Sequence, residues 1–123
     1  MRSKRFGDTN QRHAYYLEEL IRNLHKVDEN PKDISWVMHE GIWLRNGSGV
    51  YHSMPDLILG YADFNVHLLE LKGSKNKRGK ATQQLLSGAE FVTTHFPSYD
   101  IRAMKIVYYT KGNYTYEEIS YDD

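Results

Sequence analysis

The chain has 123 residues, 40% hydrophobic, 26% charged and 13% aromatic, a globular composition at a length that makes one domain and leaves no room for two. A folded chain of this size buries roughly 65% of its extended surface, which excludes wholesale disorder. Sixteen Lys and Arg balance sixteen Asp and Glu, so total charge signals no polyanionic partner, and the lack of cysteine removes disulfides, thiolate nucleophiles, cysteine-bound zinc and iron–sulfur clusters.

No uncharged apolar run approaches the ~20 residues of a membrane-spanning helix. The opening Met-Arg-Ser-Lys-Arg lacks the apolar core of a secretion signal. The expectation is a soluble, cytoplasmic protein with no membrane partner. The charges are unevenly spread: Arg2, Lys4 and Arg5 open the chain, Lys72, Lys75, Lys77, Arg78 and Lys80 fall within nine positions, and Glu117, Glu118, Asp122 and Asp123 make the C-terminus acidic. No repeat or low-complexity linker interrupts the sequence, which reads as a single domain over 1–123 with its core over about 9–119.

In chain order, Ala14, Leu17, Leu20, Ile21 and Leu24 recur at threes and fours, predicting a helix over 9–26 that Asp8 or Thr9 could cap. A turn at 30–33 leads into 34–44, rich in Ile, Trp and Val, which reads as one strand bent at Gly41. Residues 45–53, with Asn-Gly-Ser-Gly, read as a loop. Two strands, 57–61 and 65–72, are joined by three residues, short enough for an antiparallel hairpin. Ala81, Leu85, Gly88, Ala89, Val92 and Phe96 then predict a helix over 80–96, stopped by Pro97. Strands over 102–109 and 114–119 close the chain. The expected order is α-β-β-β-α-β-β, an α/β fold with a mixed central sheet flanked by helices.

Charge is normally kept out of buried strands, because an unpaired ion in a low dielectric costs several kcal/mol. Asp56 opens one hairpin strand and Glu70 interrupts the apolar run of the other. Alternation puts Glu70 and Lys72 on one face, and hairpin pairing brings Asp56 near both. Two carboxylates of this kind hold a hard divalent cation that takes a phosphate oxygen, and the lysine orients water or offsets transition-state charge. The same pattern also fits a solvated Glu–Lys pair on the wet face of a strand. The six histidines show neither His-x-x-x-His nor His-Glu-x-x-His spacing, so a zinc protease is excluded on motif grounds; His52 falls near the proposed site in sequence, and the others read as surface or strand residues. Without a Walker loop or Gly-x-Gly-x-x-Gly, no nucleotide cofactor is expected. The ten tyrosines suit a core, a subunit interface or stacking on unpaired bases.

Pro55-Asp56, a thirteen-residue gap, then Glu70-Leu71-Lys72 resembles the signature of the PD-(D/E)XK nuclease superfamily, and the expected element order resembles its core. The small size, the Gly-Ser-Gly loop and the basic segment after Lys72 are most similar to archaeal and viral Holliday junction resolvases. The resemblance implies a restriction endonuclease-like fold and a Mg²⁺-dependent DNA endonuclease, with Mn²⁺ as a substitute, acting on branched DNA as a homodimer. It makes Asp56 and Glu70 metal ligands, adds the carbonyl of Leu71, and makes Lys72 the catalytic lysine. It also implies a further acid from the first helix, Glu18 in preference to Glu19 because Glu18 lies beside Ala14 and Ile21, and a glutamine from the second helix, Gln84 or Gln83. Ser48 or Ser53 would sit near the scissile strand, and Lys75, Lys77, Arg78 and Lys80 would bind backbone phosphates. Alternatives are a repair or restriction-type nuclease acting on duplex ends or single strands, and a nuclease-fold domain that only binds nucleic acid.

Overall fold

The computed structural model describes residues 3–39, 43–45, 51–53, 55–110 and 113–120, with backbone alone for 3–10, 43–45, 51–53 and 110. Helix α1 (Ser3–Arg22) leads through two short 3₁₀ turns to strand β1 (Ile34–His39). A small hairpin, β2 (Trp43–Arg45) and β3 (Tyr51–Ser53), precedes β4 (Leu57–Tyr61) and β5 (Asn65–Lys72); a 3₁₀ turn, helix α2 (Arg78–His95), β6 (Asp100–Thr110) and β7 (Asn113–Ile119) complete the chain.

The result is an α/β architecture with a five-stranded mixed sheet in the order β1-β4-β5-β6-β7. Only β5 and β6 run parallel, joined by the α2 crossover, while β1–β4, β4–β5 and β6–β7 are antiparallel. Alternation along each strand divides the core. Val66 and Leu68 of β5 pack with Ala81, Leu85, Ala89 and Val92 of α2. Leu69 and Leu71 pack with Leu17 and Leu20 of α1 on the other face.

The segment 34–44, expected as one strand, is divided: β1 joins the main sheet against β4, and Trp43–Arg45 pairs with Tyr51–Ser53 in a separate two-stranded sheet. Residue composition marks both pieces as extended but carries no information on which neighbour supplies the hydrogen bonds. The expected loop over 45–53 thus contributes strand residues at both ends; Gly41 and 46–50 lie outside the described residues. Helix α1 begins ahead of Asp8 and Thr9, so neither caps it. A side-chain cap contributes only about 1 kcal/mol, less than the backbone hydrogen bonds of a further helical turn. Leu17 and Leu20 are buried as expected, whereas Ala14 is exposed.

Two close approaches fit the elements together, one between the paired strands β1 and β4 and one between α2 and the residue leading into β4. The Trp36 indole lies over Gly60, where a Cβ would fall 1.9 Å from a ring carbon. Gly88 of α2 packs on Pro55, and a Cβ there would fall 2.6 Å from the proline ring. The connection from α1 to β1 is pinned to the sheet by buried Lys105, which donates to the Val27 carbonyl at 2.6 Å, and by the Tyr61 hydroxyl, which donates to Asp28 at 2.8 Å. Among the described residues, no helix is long and apolar enough to cross a membrane.

Candidate metal-dependent active site

The β4–β5 register pairs Leu57 with Leu69, so the preceding residue Asp56 falls opposite Glu70. The turn between these strands carries Phe64 at a positive φ of 64°, with the Phe64 N–H donating to the Tyr61 carbonyl at 3.2 Å. A short, hydrogen-bonded turn leaves this register little freedom to slip. At the open end of the hairpin, the Asp56 N–H donates to Glu70 Oε1 at 3.2 Å, and the Leu71 N–H donates to Asp56 Oδ2 at 2.9 Å. The Lys72 ammonium stands 3.5 Å from Glu70 Oε2. Sequence alternation and a tight turn are therefore sufficient to bring two carboxylates and one ammonium together.

Glu70 is only 3% exposed. Burial, then the neighbouring Asp56 carboxylate, push its carboxyl up to about 8, against the opposing effect of Lys72. Two neighbouring acids share the single ammonium of Lys72, which leaves the pair short of positive charge, and a divalent cation would supply it. The residues therefore fit a hard cation. Among the described residues no three His, Cys, Asp or Glu side chains form a closed cage. Two carboxylates alone do not fill a cation's shell, so waters, a backbone carbonyl or substrate oxygens would have to complete it.

Helix α1 contributes a residue the sequence reading passed over. His13 Nε2 lies 3.0 Å from Asp56 Oδ2, and this hydrogen bond raises the imidazole pKa, with burial opposing it. Oδ2 thus has two N–H neighbours, His13 and Leu71, and Oδ1 is the oxygen left toward a cation. Glu18, expected here, is exposed and stands about 140° around the helix from His13. Glu19 pairs with Arg22 at 3.1 Å. The structure brings neither acid into the cluster. The available signal was register: His13 precedes Leu17 by four and Leu20 by seven, on the stripe that packs against the sheet. Arg12 was missed as well. Its guanidinium lies over the stacked rings of Tyr16 and Tyr109, at 5.7 and 5.3 Å, beside Gly73, the residue after Lys72.

On α2, Gln83 is exposed, while the Oε1 atom of Gln84 is buried with no hydrogen-bond partner. Gln84 stands one turn before Gly88, which packs on Pro55 next to Asp56. A buried, unpaired amide oxygen costs about 1–3 kcal/mol, so it is an acceptor suited to a water or a substrate group. Leu71 lies in β5 with its side chain buried on the α1 side of the sheet. Lys75, Lys77, Arg78 and Lys80 are all exposed, directly after the strand that carries Glu70 and Lys72. Arg78 is occupied by Glu117, with its Nε 3.0 Å from both carboxylate oxygens. Ser53 pairs through its backbone with Trp43, and His52 with Leu44; their side chains, and the whole of Ser48, lie outside the described residues. Of the tyrosines, 61, 108 and 109 are buried, in keeping with a core role.

No protein-family model, curated protein or solved structure matches this chain.

Proposed function

We propose that this chain is a metal-dependent nuclease that hydrolyses phosphodiester bonds in DNA at the end of the β4–β5 hairpin. The observation that supports it is the convergence of Asp56, Glu70 and Lys72 there, with the Glu70 carboxyl buried and raised by its acidic neighbour. Asp56 and Glu70, with the carbonyl of Leu71, would hold the cation. When bound, Mg²⁺ or Mn²⁺ polarises a phosphate oxygen and acidifies a water. The chain's own groups do the rest. His13 and the Leu71 N–H orient Asp56 through Oδ2, and Lys72 offsets negative charge as the phosphorus takes on its fifth oxygen. Gln84 Oε1 accepts a hydrogen bond from the attacking water. One water-derived P–O bond forms and one bridging P–O bond breaks; the attacking water gives one proton to solvent, and the departing oxygen takes one from a solvent water.

The finer parts of the proposal are a restriction endonuclease-like fold, branched DNA such as a four-way junction as substrate, and a two-fold dimer that supplies two active sites for paired incision. They rest on the resemblance of the Pro55-Asp56 and Glu70-Leu71-Lys72 segments. Labelled four-way junction, duplex, flap and single-stranded DNA, each incubated with Mg²⁺ or with a chelator, test the reading. Metal-dependent cuts, favouring the junction and made in symmetric pairs, are the expected result. Cleavage confined to duplex ends or single strands would replace branched DNA with a repair-type substrate, and binding without cleavage in any divalent metal would overturn the catalytic reading.

A further inference from the structure

Beside the candidate active site lies a polar group the proposed chemistry leaves unused. The sheet register aligns Lys72 with Tyr108 on β6, and Ile106 with both Glu70 and Glu117. Residues directly opposite across paired strands share a face. Glu117 therefore stands on the same face as Glu70 and Lys72, two strands over from Glu70, about 10 Å away at ~4.8 Å per strand. Its carboxylate is held by two donors, with a further cation close by. Arg78 Nε lies 3.0 Å from both oxygens, the Tyr108 hydroxyl donates to Oε2 at 2.6 Å, and the Lys75 ammonium sits 5.8 Å from the Tyr108 ring. Lys75 has no ion-pair partner among the described residues.

A guanidinium and a hydroxyl on one anionic group, with the Lys75 ammonium over the ring that carries the hydroxyl, make a donor set that also suits a phosphate oxygen. The Arg78 side chain is 54% exposed and that of Glu117 33%, so a competing anion has access. An exposed ion pair contributes at most about fivefold to an equilibrium, and the Tyr108 hydroxyl can give the same hydrogen bond to an incoming phosphate oxygen, so the carboxylate is displaceable. We propose that Arg78, Tyr108 and Lys75 form a phosphate-binding subsite that Glu117 fills in the free protein and that the backbone phosphate of a bound nucleic acid takes over. As a subsite for the DNA backbone, it rests on the nuclease reading. Glu117 then acts as an internal competitor, setting how strongly the basic segment after Lys72 holds nucleic acid and weakening any anion too feeble to displace it.

The test is the affinity of Glu117→Gln for a fluorescent single strand and a duplex, measured across salt concentration in chelator, alongside stabilisation by inorganic phosphate in a thermal melt. Glu118→Gln, at the adjacent position on the other face of β7, makes the same change in net charge. The expected result is a gain of about three- to fivefold for Glu117→Gln at low salt, with a salt slope steeper by ~0.7–0.9, the equivalent of one added phosphate contact. Glu118→Gln should change binding by less than twofold, and adding Arg78→Ala to Glu117→Gln should abolish the gain. An unchanged affinity for Glu117→Gln, an equal gain for Glu118→Gln, or a gain that survives loss of Arg78 would each overturn the subsite. If the parent cleaves no DNA yet Glu117→Gln gains phosphate binding, the nuclease reading fails and the subsite stands. If the parent cleaves and no gain is seen, the subsite alone fails.

Discussion

Replacing Glu70 with glutamine should stabilise the metal-free protein at alkaline pH while destroying its response to divalent metal. Burial and the Asp56 carboxylate raise the Glu70 carboxyl from 4.5 to about 8. An acid raised on folding keeps its proton longer in the folded chain than in the unfolded one. From pH 4.5 upward the unfolded chain therefore carries fewer protons, and folding stability falls until the folded group has also ionised near pH 8. At about 1.4 kcal/mol per pH unit the full loss approaches 5 kcal/mol, and relaxation around the buried charge makes roughly 3–5 kcal/mol the expected range. Glutamine keeps the acceptor for the Asp56 N–H and removes the charge. Urea unfolding followed by tryptophan fluorescence in chelator should show parent and variant within about 1 kcal/mol at pH 4.5, and the variant ahead by roughly 3–5 kcal/mol at pH 9. Mg²⁺ at a hundredfold its dissociation constant should restore about 2.7 kcal/mol to the parent and little to the variant. Parallel pH–stability curves for the two proteins, or equal stabilisation of both by Mg²⁺, would refute the account of a cation-poor carboxylate pair.

Other perturbations separate the roles of neighbouring groups. Lys72→Met should lower single-turnover cleavage by about 10²-fold or more with substrate affinity nearly unchanged, since it acts on transition-state charge; a parental rate at saturating enzyme would leave Lys72 as a mere ion-pair partner. His13→Ala should cut the rate by about tenfold with Asp56 still present, and His13→Gln, which can donate the same hydrogen bond, should recover part of it; equal rates for parent and His13→Ala would remove its orienting role. Gly88→Ala gains up to about 1 kcal/mol of helix propensity yet puts a methyl 2.6 Å from the Pro55 ring. Because that ring cannot swing aside, a net loss of about 1–3 kcal/mol and reduced activity through displaced Asp56 are expected, and a stabilised, fully active variant would contradict the packing. Substituting Lys75, Lys77 and Lys80 together should weaken binding to all DNA alike and flatten its salt dependence by about one contact per lysine lost; an unchanged slope would take the segment off the DNA.

Local pattern carried the parts of this molecule whose contacts are close in sequence. Alternation and a three-residue connection place Asp56 against Glu70 and Lys72 without reference to anything outside residues 55–72. The α2 stripe was legible for the same reason: Ala81, Leu85, Gly88, Ala89 and Val92 are all buried, whereas Phe96, past the helix end, is 48% exposed. Features set by partners far along the chain were not legible. Which face α1 turns to the sheet depends on how Leu17 and Leu20 pack, and that packing brings forward His13 in place of Glu18. The choice between Gln83 and Gln84 likewise rests on the azimuth of α2. Arg78 meets Glu117 across 39 positions, so a basic cluster that looks free in sequence has one of its charges already matched. The division of 34–44 between two sheets is of this kind too, since extended backbone alone does not select its partner.

The most direct test of the central claim is the single-turnover cleavage of labelled four-way junction DNA by the parent, Asp56→Asn and Glu70→Gln in saturating Mg²⁺ at neutral pH. The expected result is cleavage by the parent that a chelator abolishes, and loss of at least about 10³-fold in each variant, with DNA binding and folding retained. Variants that cut at the parental rate, or a parent whose cutting is indifferent to the chelator, would contradict it.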